Sequence, residues 1–136
     1  MVISERDVQE ALKNLSSGKA ASFDLLNDRT LKKALRSSLE LRLKVAHEFT
    51  QWLNGNKRIP EYLLRARTVL LSKEDGNAFP EFGKCRVIAI LPILTKLFEI
   101  CLLEKLRAEM AEKCPIHTKQ RGFVKGGSTI QNIADL

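Results

Sequence analysis

RARTVLLSKEDGNAFPEFGKCRVIAIL, Arg65–Leu91, is the stretch that decides the fold. Its two ends, RARTVLLSK (Arg65–Lys73) and RVIAIL (Arg86–Leu91), are short, apolar and β-branched. The middle, EDGNAFPEFGKC, is polar and broken by glycine and proline. Two such runs around a turn-rich link predict a β-hairpin with a long tip. Cations bound that tip, Lys73 on one side and Lys84 and Arg86 on the other. Lys73 and Arg86 fall at mirrored positions of the expected hairpin, so their charged heads can meet on one phosphate chain, with Arg as a fork and Lys as a point charge. The same spacing also suits a solvated basic tip, or cations matched to Glu74 and Glu81.

Outward from the hairpin, the pattern is helical on both sides. SERD (Ser4–Asp7) fits a capping box, and Val8, Ala11, Leu12 and Leu15 then recur at helical spacing up to Gly18. After an irregular link, GKAASFDLL, Asn27 or Asp28 can cap a second helix carrying Leu31, Ala34 and Leu35. A third helix is expected from about Ser38 to Leu53, with Leu39, Leu43, Ala46, Phe49 and Leu53 facing inward, and GNKRIP (Gly55–Pro60) breaks it. Beyond the hairpin, Pro92 suits a first helical turn. Leu94, Leu97, Phe98, Cys101, Leu102, Leu106 and Met110 make one apolar stripe down to about Glu112. CPIH then interrupts, and a terminal helix starts near Ser128 or Thr129, with Ile130, Ile133 and Ala134 on one face.

Together these predict one helix-rich α+β domain over residues 1–136. Its parts are a helical region over 1–54, the hairpin over 65–91, and a helix, a glycine loop and the start of a terminal helix over 92–136. No apolar run is long enough to span a membrane as a helix, and the start, MVISERDV, is too acidic for a secretory signal. Cys85, Cys101 and Cys114 have no zinc spacing and read as thiols of an intracellular protein, in the nucleus or an organelle. His47 and His117 stand alone and read as surface or packing residues.

The net charge of +7 suggests a polyanionic partner. QRGFVKGGST, from Gln120, sharpens this. Gly122, Gly126 and Gly127 let a backbone approach closely or take positive φ. Gln120 offers a donor and an acceptor, Phe123 a stacking face, and Arg121 and Lys125 charge. These suit a nucleic-acid backbone with a base edge nearby. An ordinary glycine loop before a helix fits the same residues.

Four blocks now stand in order: SERDVQEALKNLSSGKAASFDLL, FTQWLNGNKRIPEYLLRARTVLLSKEDG, CRVIAILPILTKLFEICLLEKL and QRGFVKGGSTIQNIADL. This arrangement resembles the N-terminal fingers region of a reverse transcriptase of the non-LTR retrotransposon and group II intron type. The resemblance implies a fingers subdomain of an RNA-directed DNA polymerase without its palm. Lys73 and Arg86 would hold the incoming triphosphate. Lys84, Gln120, Arg121, Gly122, Phe123 and Lys125 would touch template or the nascent pair. The implied partners are RNA or an RNA/DNA template–primer, and a second chain carrying the palm. A domesticated remnant, serving as a nucleic-acid-binding or structural subunit of a larger ribonucleoprotein or organellar assembly, is the alternative.

The chain departs from the family pattern in three places. Ala21–Leu25 (ASFDL) lacks the glycines the family has around the Asp, which puts a tight turn in doubt. Arg86 is followed by Val87 rather than Pro. The family's catalytic carboxylates lie beyond this point. Nucleotidyl transfer needs clustered carboxylates for two metals, and Asp7, Asp24, Asp28, Asp75 and Asp135 are scattered over helix starts, links and loops. The sequence therefore predicts no catalytic residue and no metal ligand in this chain, the magnesium belonging to the missing palm.

Overall fold

A computed structural model describes residues 1–18, 20–73, 81–117, 119, 120, 122, 124, 126, 128, 130 and 133. Ser4 starts α1 (Glu5–Asn14) through the expected capping box, its hydroxyl and the Asp7 carboxylate each taking the other's backbone N–H. Asn27 caps α2 (Asp28–Ser37) by accepting from the Thr30 amide at 2.8 Å. Ser38 caps α3 (Leu39–Leu53) by accepting from the Leu41 amide at 3.1 Å. In each case a short polar side chain satisfies an amide that the helix itself leaves open. A one-turn helix, α4 (Glu61–Leu64), follows the GNKRIP break and was not expected. Pro60 sets its entry, and Leu63 is buried with its carbonyl accepting from Thr95 Oγ1 at 2.7 Å.

Strands β1 (Arg67–Ser72) and β2 (Cys85–Ile90) pair antiparallel, and helix α5 (Ile93–Lys113) begins just after Pro92. The described chain is thus a helix-rich α+β structure with a two-stranded sheet. It divides into two compact units, Met1–Leu102 and Leu103–Leu136. No helix among the described residues is long and apolar enough to cross a membrane.

The first unit is built around α3. Both α1 and α2 pack on it, and Ile93, Leu97 and Cys101 of α5 complete the core with Val8, Leu12, Leu31, Leu35, Ala46 and Phe49. Phe49 anchors an aromatic cluster, its ring centroid 5.2 Å from Trp52 and 5.1 Å from Phe98. Phe98 meets Phe49 edge-to-face and Trp52 meets it at a tilt, and aromatic pairs at such distances add to plain area burial. The N-terminus is clasped to α3: Thr50 Oγ1 accepts from the Ile3 amide at 2.9 Å and donates to the Ile3 carbonyl at 3.1 Å.

Two sequence expectations change here. Leu39 and Leu43 were read as inward but are exposed, because α3 is rotated to bring Val45, Ala46, Phe49 and Trp52 to the core. On α5 the stripe holds through Leu97 and Cys101, but Leu106 and Met110 are exposed. Those two belong to the second unit, outside the core that Leu97 and Cys101 share.

The doubtful turn is made without glycine. The Leu25 amide bonds the Ser22 carbonyl at 3.2 Å, and Leu25 takes a φ of +56°. Asp24 supports the turn by accepting from the Leu26 amide at 3.3 Å. Ser22, buried beneath it, donates its hydroxyl to the Ile90 carbonyl at 2.9 Å and so ties the link to the end of β2.

Candidate nucleotide and nucleic-acid interface

The hairpin register decides how its cations meet. Arg86 lies opposite Leu71, not opposite Lys73. The ladder runs one step further, where the Lys73 amide donates to the Lys84 carbonyl at 2.9 Å. Alternation within the strands puts Arg86 on the face of Leu71, while Lys73 and Lys84 lie just past the strand ends, Lys73 in the bend after β1 and offset from Arg86 by two residues, Lys84 at the close of a 3-10 turn. The mirrored arrangement expected from sequence is therefore an offset one. A turn of 3-10 helix at Phe82–Lys84 leads directly into β2.

All three cations are exposed. The Lys73 ammonium bends back to the Gly83 carbonyl at 3.2 Å. The Arg86 guanidinium has no ion pair among the described residues. Of the two carboxylates proposed to balance the tip, Glu81 forms no ion pair with Lys73, and Glu74 lies outside the described residues. Like charges set directly opposite each other, as the register sets Lys73 and Lys84, weaken a ladder. Phe82, read from sequence only as part of a polar loop, stands 75% exposed beside them and offers a stacking face. The signal was available, since an aromatic residue in an otherwise polar tip has no core to enter.

The glycine loop lies in the second unit. Gln120 donates its side-chain amide to the Gly122 carbonyl at 2.9 Å, and its own N–H bonds the His117 carbonyl at 2.9 Å. Gly126 takes φ +84°, the backbone freedom expected of it. Arg121, Phe123 and Lys125 lie outside the described residues. So do Thr129 and Ala134 of the expected terminal helix, whereas Ile130 and Ile133 are helical and exposed.

The carboxylates are engaged locally. Asp7 belongs to the α1 cap, Asp24 accepts from Leu26, and Asp28, 4% exposed, accepts from the Gly18 amide at 3.3 Å. Among the described residues no three His, Cys, Asp or Glu side chains gather as metal ligands would. Asp75 and Asp135 lie outside those residues. No family model, no curated protein and no solved structure matches this chain.

Proposed function

We propose that this chain is the fingers part of an RNA-directed DNA polymerase, contributing template and incoming-nucleotide contacts to chemistry carried out by residues outside it. The observation that supports this reading is that Lys73, Lys84 and Arg86 gather, exposed, at the tip end of a β-hairpin, within four sequence blocks that keep the order of the polymerase family. A triphosphate needs such a set: a guanidinium fork for one phosphate and ammonium groups for its neighbours. Gln120, Gly122 and the basic residues Arg121 and Lys125 supply the template contacts in the same reading. Asp7, Asp24 and Asp28 stand at separate places, in the α1 cap, the Leu25 turn and the start of α2, and are not gathered as a two-metal centre requires, so this reading assigns no catalytic step to this chain.

A second reading, a remnant retained as a subunit of a larger assembly, draws support from one observation. Leu70, Leu71, Val87 and Ile88 leave both faces of the hairpin 40–59% exposed. A two-stranded hairpin is marginal when uncovered, so either reading expects a covering surface.

Binding measurements separate the two sites. Arg86→Ala should weaken binding of a deoxynucleoside triphosphate by roughly tenfold or more, the scale of a charged hydrogen bond, and leave RNA affinity nearly unchanged. Arg121→Ala with Lys125→Ala should do the reverse. Equal effects of both on both ligands would overturn the assignment. Triphosphate binding indifferent to Arg86 would leave the subunit reading.

A further inference from the structure

The strongest charge feature of the described residues lies on neither the hairpin nor the glycine loop. A groove of about 580 Å3 runs along α2, lined by Ser17, Arg29, Lys32, Lys33, Arg36 and Ser37. A second groove shares Arg36 and adds Gln9, Lys13 and Arg42. No carboxylate lines either one. The only acid of α2, Asp28, is buried and turned to the Gly18 amide. Arg29, Lys33 and Arg36 are exposed and make no ion pair among the described residues.

Folding alone gives no reason for this arrangement. Other surface helices set a cation one turn from an acid, as Lys44 with Glu40 and Arg107 with Glu104. Apart from Asp28 with Lys32, the charged one-turn neighbours on α2 are alike: Arg29 with Lys33, and Lys32 with Arg36. Such pairs destabilise a helix. Arg29 also sits in the first turn, at the positive end of the helix dipole. Lys32 has a structural task, donating to the Leu15 carbonyl at 2.5 Å and Ser17 Oγ at 2.7 Å, which closes the end of α1. Arg42 is likewise held, by Glu5 and by the Leu35 and Arg36 carbonyls. These two build the walls. Arg29, Lys33 and Arg36 are left facing solvent.

We infer that this face of α2 grips the phosphate backbone of a nucleic-acid duplex. From Arg29 to Arg36 the helix advances about 10 Å, about three base-pair rises along the axis of a B-form duplex. No aromatic side chain lines the groove, so there is no platform on which single-stranded bases could stack. Backbone contact without base readout is what remains. The surface is independent of the hairpin and glycine-loop assignments and stands if those fail.

The test uses the full chain and a blunt RNA duplex of mixed sequence, with affinity followed by fluorescence anisotropy across a salt series. Replacing Arg29, Lys33 and Arg36 together by Gln, a good helix former, should lower the slope of log affinity against log salt by about two to three. Arg29→Lys with Arg36→Lys should keep the slope. Lys73→Ala with Arg86→Ala should keep it too, while abolishing triphosphate binding if the hairpin reading is right. Should the triple variant fail to fold by circular dichroism, the single Gln variants should each remove about one unit. An unchanged slope in the Gln variants would overturn the inference. So would a wild-type chain that binds poly-glutamate but no duplex, since the face would then serve an acidic protein.

Discussion

Leu25 is the residue whose conformation has the clearest cost. A side chain at φ +56° places its Cβ against the following carbonyl, a strain of about 1–2 kcal/mol for an L-residue. Glycine there would remove the strain at a smaller entropic cost. Leu25 is 77% exposed, so no packing is lost with its side chain. Leu25→Gly should therefore raise stability by about 0.5–1 kcal/mol, read as a shift of the urea midpoint without a change in slope. The family the sequence resembles carries glycines around this Asp, and Leu25 keeps a turn here without one. The turn was doubtful from sequence because a leucine gives no sign of positive φ. What holds it is Asp24 on the Leu26 amide and the Ser22 carbonyl on the Leu25 amide.

At the scale of elements, the helices follow from local chemistry and the hairpin does not. Ser4 caps as expected, Asn27 is the one of the two candidates, Asn27 or Asp28, that caps α2, and Ser38, read only as the approximate start of the third helix, caps α3; a cap involves residues only three apart. The hairpin's strands were also legible, but its register and cover were not. The register pairs Arg86 with Leu71, and β2 is entered through a turn of 3-10 helix at Phe82–Lys84 that no periodicity announces. The anchor of β2 is Ser22, 68 positions from the Ile90 carbonyl it serves. Ser22→Ala would remove that part-buried hydrogen bond, at a cost of about 0.5–1.5 kcal/mol. Hydrogen exchange should then quicken first in the amides of β1 and β2, while those of α1 and α3 stay protected. Equal acceleration throughout would mean the hairpin and the helices open as one unit.

At the scale of the molecule, the inventory of exposed apolar side chains matters most. Leu70, Leu71, Val87 and Ile88 on the hairpin, Leu103, Leu106 and Met110 on α5, and Ile130 and Ile133 are all exposed. Single exposed apolar residues are ordinary, but clustered ones mark surfaces that a partner covers. The purified chain should bind an apolar dye and self-associate as its concentration rises. Leu70→Thr with Val87→Thr should reduce both signals, since these two residues face each other on one side of the ladder. A monomer that binds no dye at any concentration would remove the expectation of a covering partner.

The sequence by itself determined the starts of α1, α2, α3 and α5, though not of the one-turn α4, together with the presence of two strands and the positions of the cations, because caps, alternation and charge spacing act over a few residues. It also carried the basic run of α2, as the i, i+4 spacing of Arg29 with Lys33 and Lys32 with Arg36. Only the tertiary structure decided which side of α3 turns inward, that Arg86 answers Leu71, and that the α2 cations line a groove free of acid. These depend on contacts between distant segments. Leu39 and Phe49 are equally apolar on paper, and only the packing of α1, α2 and α5 against one face of α3 distinguishes them.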